Sequence, residues 1–477
     1  MTDKDFGRIL AFVKQGMPEL EVRNPYDNST VGKVPLADGP AFERAADAAV
    51  AGAARVARMP VHERAAILMR VSAAILADRH GIARTLAAEA GKPIRDALIE
   101  ADRAAMTFHV AAEEARRMTG EVIPLDLAAH GEGRLGIVRR YPIGPVAAIS
   151  PFNFPLNLSA HKLAPAIAAG NSIVLKPASK TPLSAMTLGR LLNDAGAPEG
   201  AVAVLAMDRD IGDRLVTDER FKLLTFTGSS PVGWAMKARA GKKKVILELG
   251  GNAGVIVDAD ADVAFAARRV AAGGFAYAGQ SCISVQRVYV HDRVFDAFAT
   301  ELVRLIERLK TGDPLDALTD VGPMIDEGEA ARVDGWVREA VTAGATVLTG
   351  GRRLGGALYA PTVMTGVPDD AKLCTEEVFG PLVGLWRFSA LGDAIAAVNR
   401  SRFGLQAGLF TRDLAGAFLA YDLLEVGGVV INDVPTWRID HMPYGGVKDS
   451  GLGREGPRYT IEEMTEPKLL VINRTTP

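Results

Sequence analysis

The chain has 477 residues, too many for one compact core, so two or three domains are expected. Hydrophobic residues make up 48% and charged residues 23%, and the formal net charge of −2 gives no electrostatic case for nucleic acid or an anionic membrane as partner. No apolar run reaches the roughly 18 residues of a membrane span, residues 1–6 are polar rather than a basic-then-apolar leader, and two cysteines, Cys282 and Cys374, make no disulfide framework, as suits a reducing cytoplasm.

Residues 40–118 are rich in alanine, with apolar residues at helical spacing. Pro40 and Pro60 stand where first turns would start, so three or four helices are expected. The pattern changes after Gly120, and 138–141 reads as part of an extended strand in an arm that leaves the main body. From Pro145 short apolar runs (146–149, 173–175, 202–205, 223–226 and 245–249) alternate with stretches long enough for crossover helices. Five such runs predict βαβ units in a parallel, doubly wound α/β sheet of Rossmann type, with ligands at the carboxyl ends of its strands. A second α/β section runs from about 250 to 448, and 468–472 reads as a further strand suited to subunit pairing.

Several turns in this frame carry chemistry. Residues 225–233 (Thr-Phe-Thr-Gly-Ser-Ser-Pro-Val-Gly) follow a predicted strand and open a helix. Gly228 lets the backbone approach a phosphate, Ser229 can donate to it, and a helix N-terminus favours an anion. The segment lacks the full G-x-G-x-x-G fingerprint, and on its own it is equally a plain strand-to-helix turn. Lys176 ends another strand of the same sheet, where an ammonium can reach a ribose hydroxyl or a phosphate. Cys282 lies among small residues after a glycine turn, as an accessible nucleophile requires. Cys374 reads as a small buried hydrophobe. Glu248 is a carboxylate in an apolar strand end, a setting that raises its pKa and suits a general base. Asn153, in the turn Ser-Pro-Phe-Asn-Phe-Pro at 150–155, offers an amide to a developing oxyanion.

Together these segments resemble the aldehyde dehydrogenase superfamily over nearly the whole chain. The likeness rests on seven motifs in the family's order: 150–155, Leu-Lys-Pro-Ala at 175–178, Phe-Thr-Gly-Ser at 226–229 with Gly233, Leu-Glu-Leu-Gly-Gly-Asn at 247–252, Gly-Gln-Ser-Cys at 279–282, Glu-Glu-Val-Phe-Gly-Pro at 376–381, and Pro-Tyr-Gly-Gly-Val-Lys-Asp-Ser-Gly at 443–451. The separation of Glu248 and Cys282, 34 residues, also suits the family. The resemblance implies that Cys282 attacks the aldehyde to form a thiohemiacetal, that Asn153 and the Cys282 N–H hold its oxyanion, and that Glu248 activates water to hydrolyse the ensuing thioester. It implies NAD or NADP as cofactor, with Lys176 at the adenosine ribose, Gly228, Ser229 and Gly233 at the phosphate turn, Ile149, Phe152 and Ser179 along the cofactor, and Glu377 and Phe379 at the nicotinamide riboside. It further implies a cofactor-binding domain (1–120 and 141–248), a catalytic domain (249–456) and an oligomerisation arm (121–140 and 457–477), in a homodimer or homotetramer.

Departures from the pattern bear on specificity. Ser179 stands where NAD-preferring relatives often carry a glutamate that repels a 2′-phosphate, and Lys180 adds positive charge; the balance tips towards acceptance of NADP. By the same analogy the substrate pocket is lined by Phe154, Leu158, His161, Ile283, Trp437 and Arg438. His161 and Arg438 suit a small polar or anionic aldehyde, in the manner of lactaldehyde, phosphonoacetaldehyde or semialdehyde dehydrogenases. Two rival chemistries use the same cysteine. A CoA-acylating member would lack a base such as Glu248, and a non-redox esterase or thioesterase would have no need of the cofactor segments.

Overall fold

The computed structural model describes residues 17–475; the polar segment 1–6 lies outside them. The alanine-rich stretch forms four helices, Gly39–Arg58, Val61–Ala77, Arg79–Ala90 and Ile94–Arg117. Asp38 caps the first by accepting from the Ala41 N–H, Pro40 occupies its first turn, and Pro60 directly precedes the second. Small side chains such as Ala65, Ala97, Ala101, Ala104 and Ala111 are fully buried, which lets these helices approach closely.

The first sheet contains all five expected strands. Its order is Gly451–Leu452, Lys244–Glu248, Leu223–Thr227, Val146–Ile149, Ile173–Lys176, Val202–Val204. The last five run parallel. The chain begins at Val146–Ile149, builds outward through Ile173–Lys176 and Val202–Val204, then returns to the other flank. The order therefore reverses between Val146–Ile149 and Leu223–Thr227, and a crevice opens beyond their carboxyl ends. A short edge strand that the sequence did not announce, Gly451–Leu452, pairs antiparallel with Lys244–Glu248, Gly451 opposite Glu248.

The second α/β section has a seven-stranded sheet: Thr346–Thr349, Thr362–Thr365, Leu382–Phe388, Val285–His291, Ala253–Val257, Gln406–Phe410, Gly428–Ile431. Only Thr346–Thr349, at one edge, is antiparallel. A third sheet joins Thr465–Asn473, Arg134–Pro142 and Glu121–Pro124, all antiparallel. Leu469, Leu470, Val471 and Ile472 remain exposed on it. The helix Pro457–Glu463, which leads into Thr465–Asn473, buries Ile461 in the core of the first sheet. Among the described residues no helix is long and apolar enough to cross a membrane.

Candidate active site

A groove of about 590 Å³ runs along the crevice of the first sheet and ends at Cys282. Ile149, Phe152 and Asn153 line it from the turn after the central strand. Gly228 and Ser229 line it from the neighbouring turn. A Cβ on Gly228 would come 2.5 Å from Phe226 Cζ, so the ring folds back beneath a turn that only glycine leaves open. Among the described residues no side chain caps the helix that follows, Ser230–Arg239, so its first-turn N–H groups keep capacity for an anion. Gly233 is not on the groove. It is buried on that helix, where a Cβ would come 3.2 Å from Phe226 Cδ1, and its part is close helix-to-sheet packing.

Lys176 lines the groove with its side chain laid over Gly212, where a Cβ would come 2.5 Å from its Cδ and Cε. Its Nζ makes one long contact, 3.4 Å to Pro177 O, and burial lowers its pKa. Ser179 is exposed on an adjoining cavity of about 660 Å³ rather than on the groove; Lys180 lines both. At the other end Glu377 Oε1 accepts from the Gly251 N–H at 2.9 Å, and burial raises its pKa to about 7. Phe379, at φ 48°, sets its ring edge-on to Phe152, with centroids 5.7 Å apart. A helix start without a side-chain cap and a lysine with no carboxylate hydrogen bond among the described residues, on a groove that glycine turns keep open, fit a dinucleotide.

Cys282 follows three consecutive residues in the left-handed region, Tyr277 (φ 48°), Ala278 (φ 53°) and Gly279 (φ 69°). A non-glycine residue there costs about 1–3 kcal/mol, so the surrounding packing holds this turn open. The Tyr277 hydroxyl contributes by donating to Ala90 O at 2.8 Å. Cys282 is partly exposed, its Sγ stands 3.0 Å from Tyr444 Oη, and burial of the thiol pushes its pKa up to about 12. Asn153 is buried and donates one amide hydrogen to Gln280 O at 3.0 Å, which leaves the second hydrogen available. Glu248, the last residue of its strand, is buried, and neither carboxylate oxygen has a hydrogen-bond partner among the described residues. Burial, reinforced by nearby Glu455, raises its pKa well above the ordinary carboxylate range; Arg438 and Lys162 oppose the shift.

A second cavity, of about 160 Å³, meets the groove at Cys282. Phe154, Leu158, Ile283 and Arg438 line it, as the sequence suggested. So do Lys92, Arg103, Tyr277, Thr436 and Tyr444, which the sequence reading passed over. Its cations are paired. Lys92 and Glu100, both fully buried, form an ion pair, with Lys92 Nζ 3.7 Å from the Phe154 ring centroid. Arg103 meets Asp440 through two bonds, 3.0 and 2.9 Å. Arg438 bonds Glu455 at 3.3 Å and lies 3.6 Å over the Tyr444 ring, while its buried Nε–H has no acceptor among the described residues.

Two expected lining residues are elsewhere. His161 is wholly buried behind the cavity, with Nε2 2.9 Å from Asp440 Oδ1 and 3.4 Å from Arg438 Nη2. The same Asp440 carboxylate that bonds the imidazole accepts from Arg103. Trp437 is 48% exposed, because neighbouring residues of the loop face opposite ways and Arg438 takes the inward position. The signals for the missed residues were faint. Lys92 sits in the turn between two alanine-rich helices and Arg103 within the second of them, in a stretch that read as scaffold, and Tyr444 stood inside a motif taken only as a signature.

The aldehyde dehydrogenase family model matches residues 12–470. A 3-sulfolactaldehyde dehydrogenase from Priestia aryabhattai is 46% identical over 456 residues, 95% of each chain. The crystal structure of aldehyde dehydrogenase 21 from Physcomitrella patens, in complex with the reaction product succinate, is 49% identical with a TM-score of 0.95, covering 97% of this chain and 96% of that one. Glyceraldehyde-3-phosphate dehydrogenase from Methanocaldococcus jannaschii, complexed with NADP, is 39% identical with a TM-score of 0.92, covering 97% of this chain and all of that one. The chain belongs to the aldehyde dehydrogenase family. Within that class it is an NAD(P)-dependent enzyme that oxidises aldehydes to acids.

Proposed function

We propose that the enzyme oxidises a small aldehyde carrying an anionic group away from the carbonyl, through a covalent intermediate on Cys282. The observation that carries this reading is the meeting of the two cavities at Cys282, one fit for a dinucleotide and one lined by Arg103 and Arg438. The Cys282 sulfur attacks the carbonyl carbon. The free amide hydrogen of Asn153 and the Cys282 N–H hold the oxyanion that develops. Nicotinamide, when bound, supplies the oxidising equivalents that convert the thiohemiacetal to a thioester. Glu248 takes a proton from the water that releases the acid. Glu377 and the Phe152–Phe379 pair fix the riboside end of the groove, and Lys176 the adenosine end.

Arg438, which lines the cavity, suits a sulfonate or carboxylate, in keeping with relatives named for sulfolactaldehyde and bound to succinate. The cavity size favours a short chain. Lys180, on both cavities, and Ser179 support acceptance of NADP as well as NAD. We assign 1–120 with 141–248 to the cofactor domain, 249–456 to the catalytic domain and 121–140 with 457–477 to an arm. The exposed apolar row at 469–472 suits a homodimer or homotetramer, and two free cysteines suit the cytoplasm. The test is nicotinamide reduction, with both cofactors, on sulfolactaldehyde, succinate semialdehyde, lactaldehyde, benzaldehyde and hexanal. The reading predicts the highest kcat/KM with the charged aldehydes. Preference for hexanal or benzaldehyde contradicts it.

A further inference from the structure

Cys282 and Tyr444 lie far apart in sequence, and the loop from Thr436 onward brings them together. Tyr444 Oη stands 3.0 Å from Cys282 Sγ. The tyrosine has little freedom to leave. It is 2% exposed, its N–H donates to Glu455 O at 3.0 Å, its O accepts from the Glu455 N–H, and the Arg438 guanidinium lies 3.6 Å over its ring. A phenylalanine would fill the same space and keep the same contact with Arg438. The hydroxyl is the part that packing does not explain, and it is aimed at the reacting sulfur.

We propose that Tyr444 is a further catalytic residue, whose hydroxyl donates a hydrogen bond to the Cys282 sulfur and stabilises the thiolate form of the nucleophile. This rests on the reading of Cys282 as the nucleophile. The thiolate, not the thiol, attacks a carbonyl, yet burial works against the thiolate here. The charged groups facing the sulfur are divided: Glu377 and Glu248 disfavour a second negative charge, and Arg438 favours it. The Tyr444 bond is a neutral donor on the favouring side. Burial holds the phenol protonated well above the ordinary tyrosine range, so its O–H stays a donor across neutral pH. The Arg438 cation on the ring face polarises the phenol and strengthens that donor. When the thiol ionises its proton leaves to water, and Tyr444 keeps its own.

The test is the rate at which iodoacetamide alkylates Cys282 across neutral and alkaline pH. It uses the full-length protein without aldehyde or cofactor, with the adduct located by mass spectrometry. Tyr444→Phe should move the midpoint upward by about one to two pH units and slow alkylation at neutral pH about ten- to hundred-fold, the effect of losing a hydrogen bond to a charged group. An unchanged midpoint in a variant with unchanged thermal unfolding overturns the proposal. Should that variant melt early, 3-fluorotyrosine placed at position 444, a more acidic donor, should move the midpoint downward; no movement overturns the proposal equally. If Cys282 of the wild type reacts no faster than Cys374, the nucleophile assignment itself fails. If Cys282 reacts fast and Tyr444→Phe matches it, only the role of Tyr444 fails.

Discussion

The two cavities that meet at Cys282 handle charge in opposite ways. Along the cofactor groove Lys176, Glu377 and Glu248 have no ionic hydrogen-bond partner among the described residues, whereas Lys180 with Asp326 and Arg332 with Glu329 are paired. Lys176 touches only a carbonyl, Glu377 accepts from a backbone N–H, and Glu248 has no hydrogen bond among the described residues. Burial shifts each towards its neutral form. Around the aldehyde cavity Arg103 and Arg438 are held by Asp440 and Glu455. The His161 hydrogen bond and the Arg103 charge keep the Asp440 carboxyl far below its ordinary range, and Glu455 first among its neighbours holds the Arg438 guanidinium above its own. The contrast teaches a division of labour. The groove keeps groups whose charge can change or whose partner arrives with a ligand. The cavity keeps the Arg103 and Arg438 guanidinium groups oriented before any substrate enters, while burial lowers the pKa of its third cation, Lys92.

The largest expected effect lies at the junction itself. Cys282→Ala should lower aldehyde oxidation by at least about 10³-fold while cofactor binding, read by nicotinamide fluorescence, stays within about twofold. Retained turnover would break the account of both cavities together. Next comes the titrating side. Glu248→Gln should cut kcat by about 10²–10⁴-fold. The sign of the wild-type pH profile follows from the raised pKa: the base works deprotonated, so kcat should fall as pH drops through a midpoint above the ordinary carboxylate range. A wild-type limb at the usual carboxylate pKa would mean that Glu248 is not the group being titrated. The fixed-charge side gives a smaller and more selective effect. Arg438→Met should raise KM for succinate semialdehyde or sulfolactaldehyde about ten- to hundred-fold, with benzaldehyde changed far less. Equal losses on both classes would show that Arg438 acts through Cys282, Tyr444 or the loop rather than by holding the substrate. The smallest effect is expected beyond the groove. Ser179→Glu should lower the NADP-to-NAD ratio of kcat/KM about tenfold by repelling a 2′-phosphate. An unmoved ratio would place the discrimination at Lys180 or farther along the adjoining cavity.

The groove was far more legible in the sequence than the cavity, for a physical reason. A parallel sheet delivers its ligand groups at strand ends, so Asn153, Lys176, Gly228 and Glu248 each follow or end an apolar run that periodicity finds. Glu248 was conspicuous as a carboxylate in such a run. The cavity is assembled from three helices, the turns beside them and a loop more than 300 residues away from the first helix, and no local pattern joins Lys92, Arg103, Tyr277 and Arg438. His161 was placed in the pocket by analogy with the family, but here the helix Asn157–Ala169 is buried on every side. Asp440, from the distant loop, takes the imidazole as a structural partner. In the same loop Trp437 and Arg438 exchange outward and inward positions by one residue, a choice that packing makes and composition does not. Ser179 and Gly233 carry the same lesson on the cofactor side. A motif names the turn, and only the fold decides which of its residues face the ligand.

The most direct test of covalent chemistry at Cys282 is to trap the intermediate. Glu248→Gln enzyme, mixed with succinate semialdehyde and either cofactor, quenched and digested, would be read by mass spectrometry. The account predicts an acyl group on the Cys282 peptide that forms as reduced nicotinamide appears and decays slowly. Stoichiometric nicotinamide reduction with Cys282 unmodified, or an adduct on Cys374 instead, would contradict it.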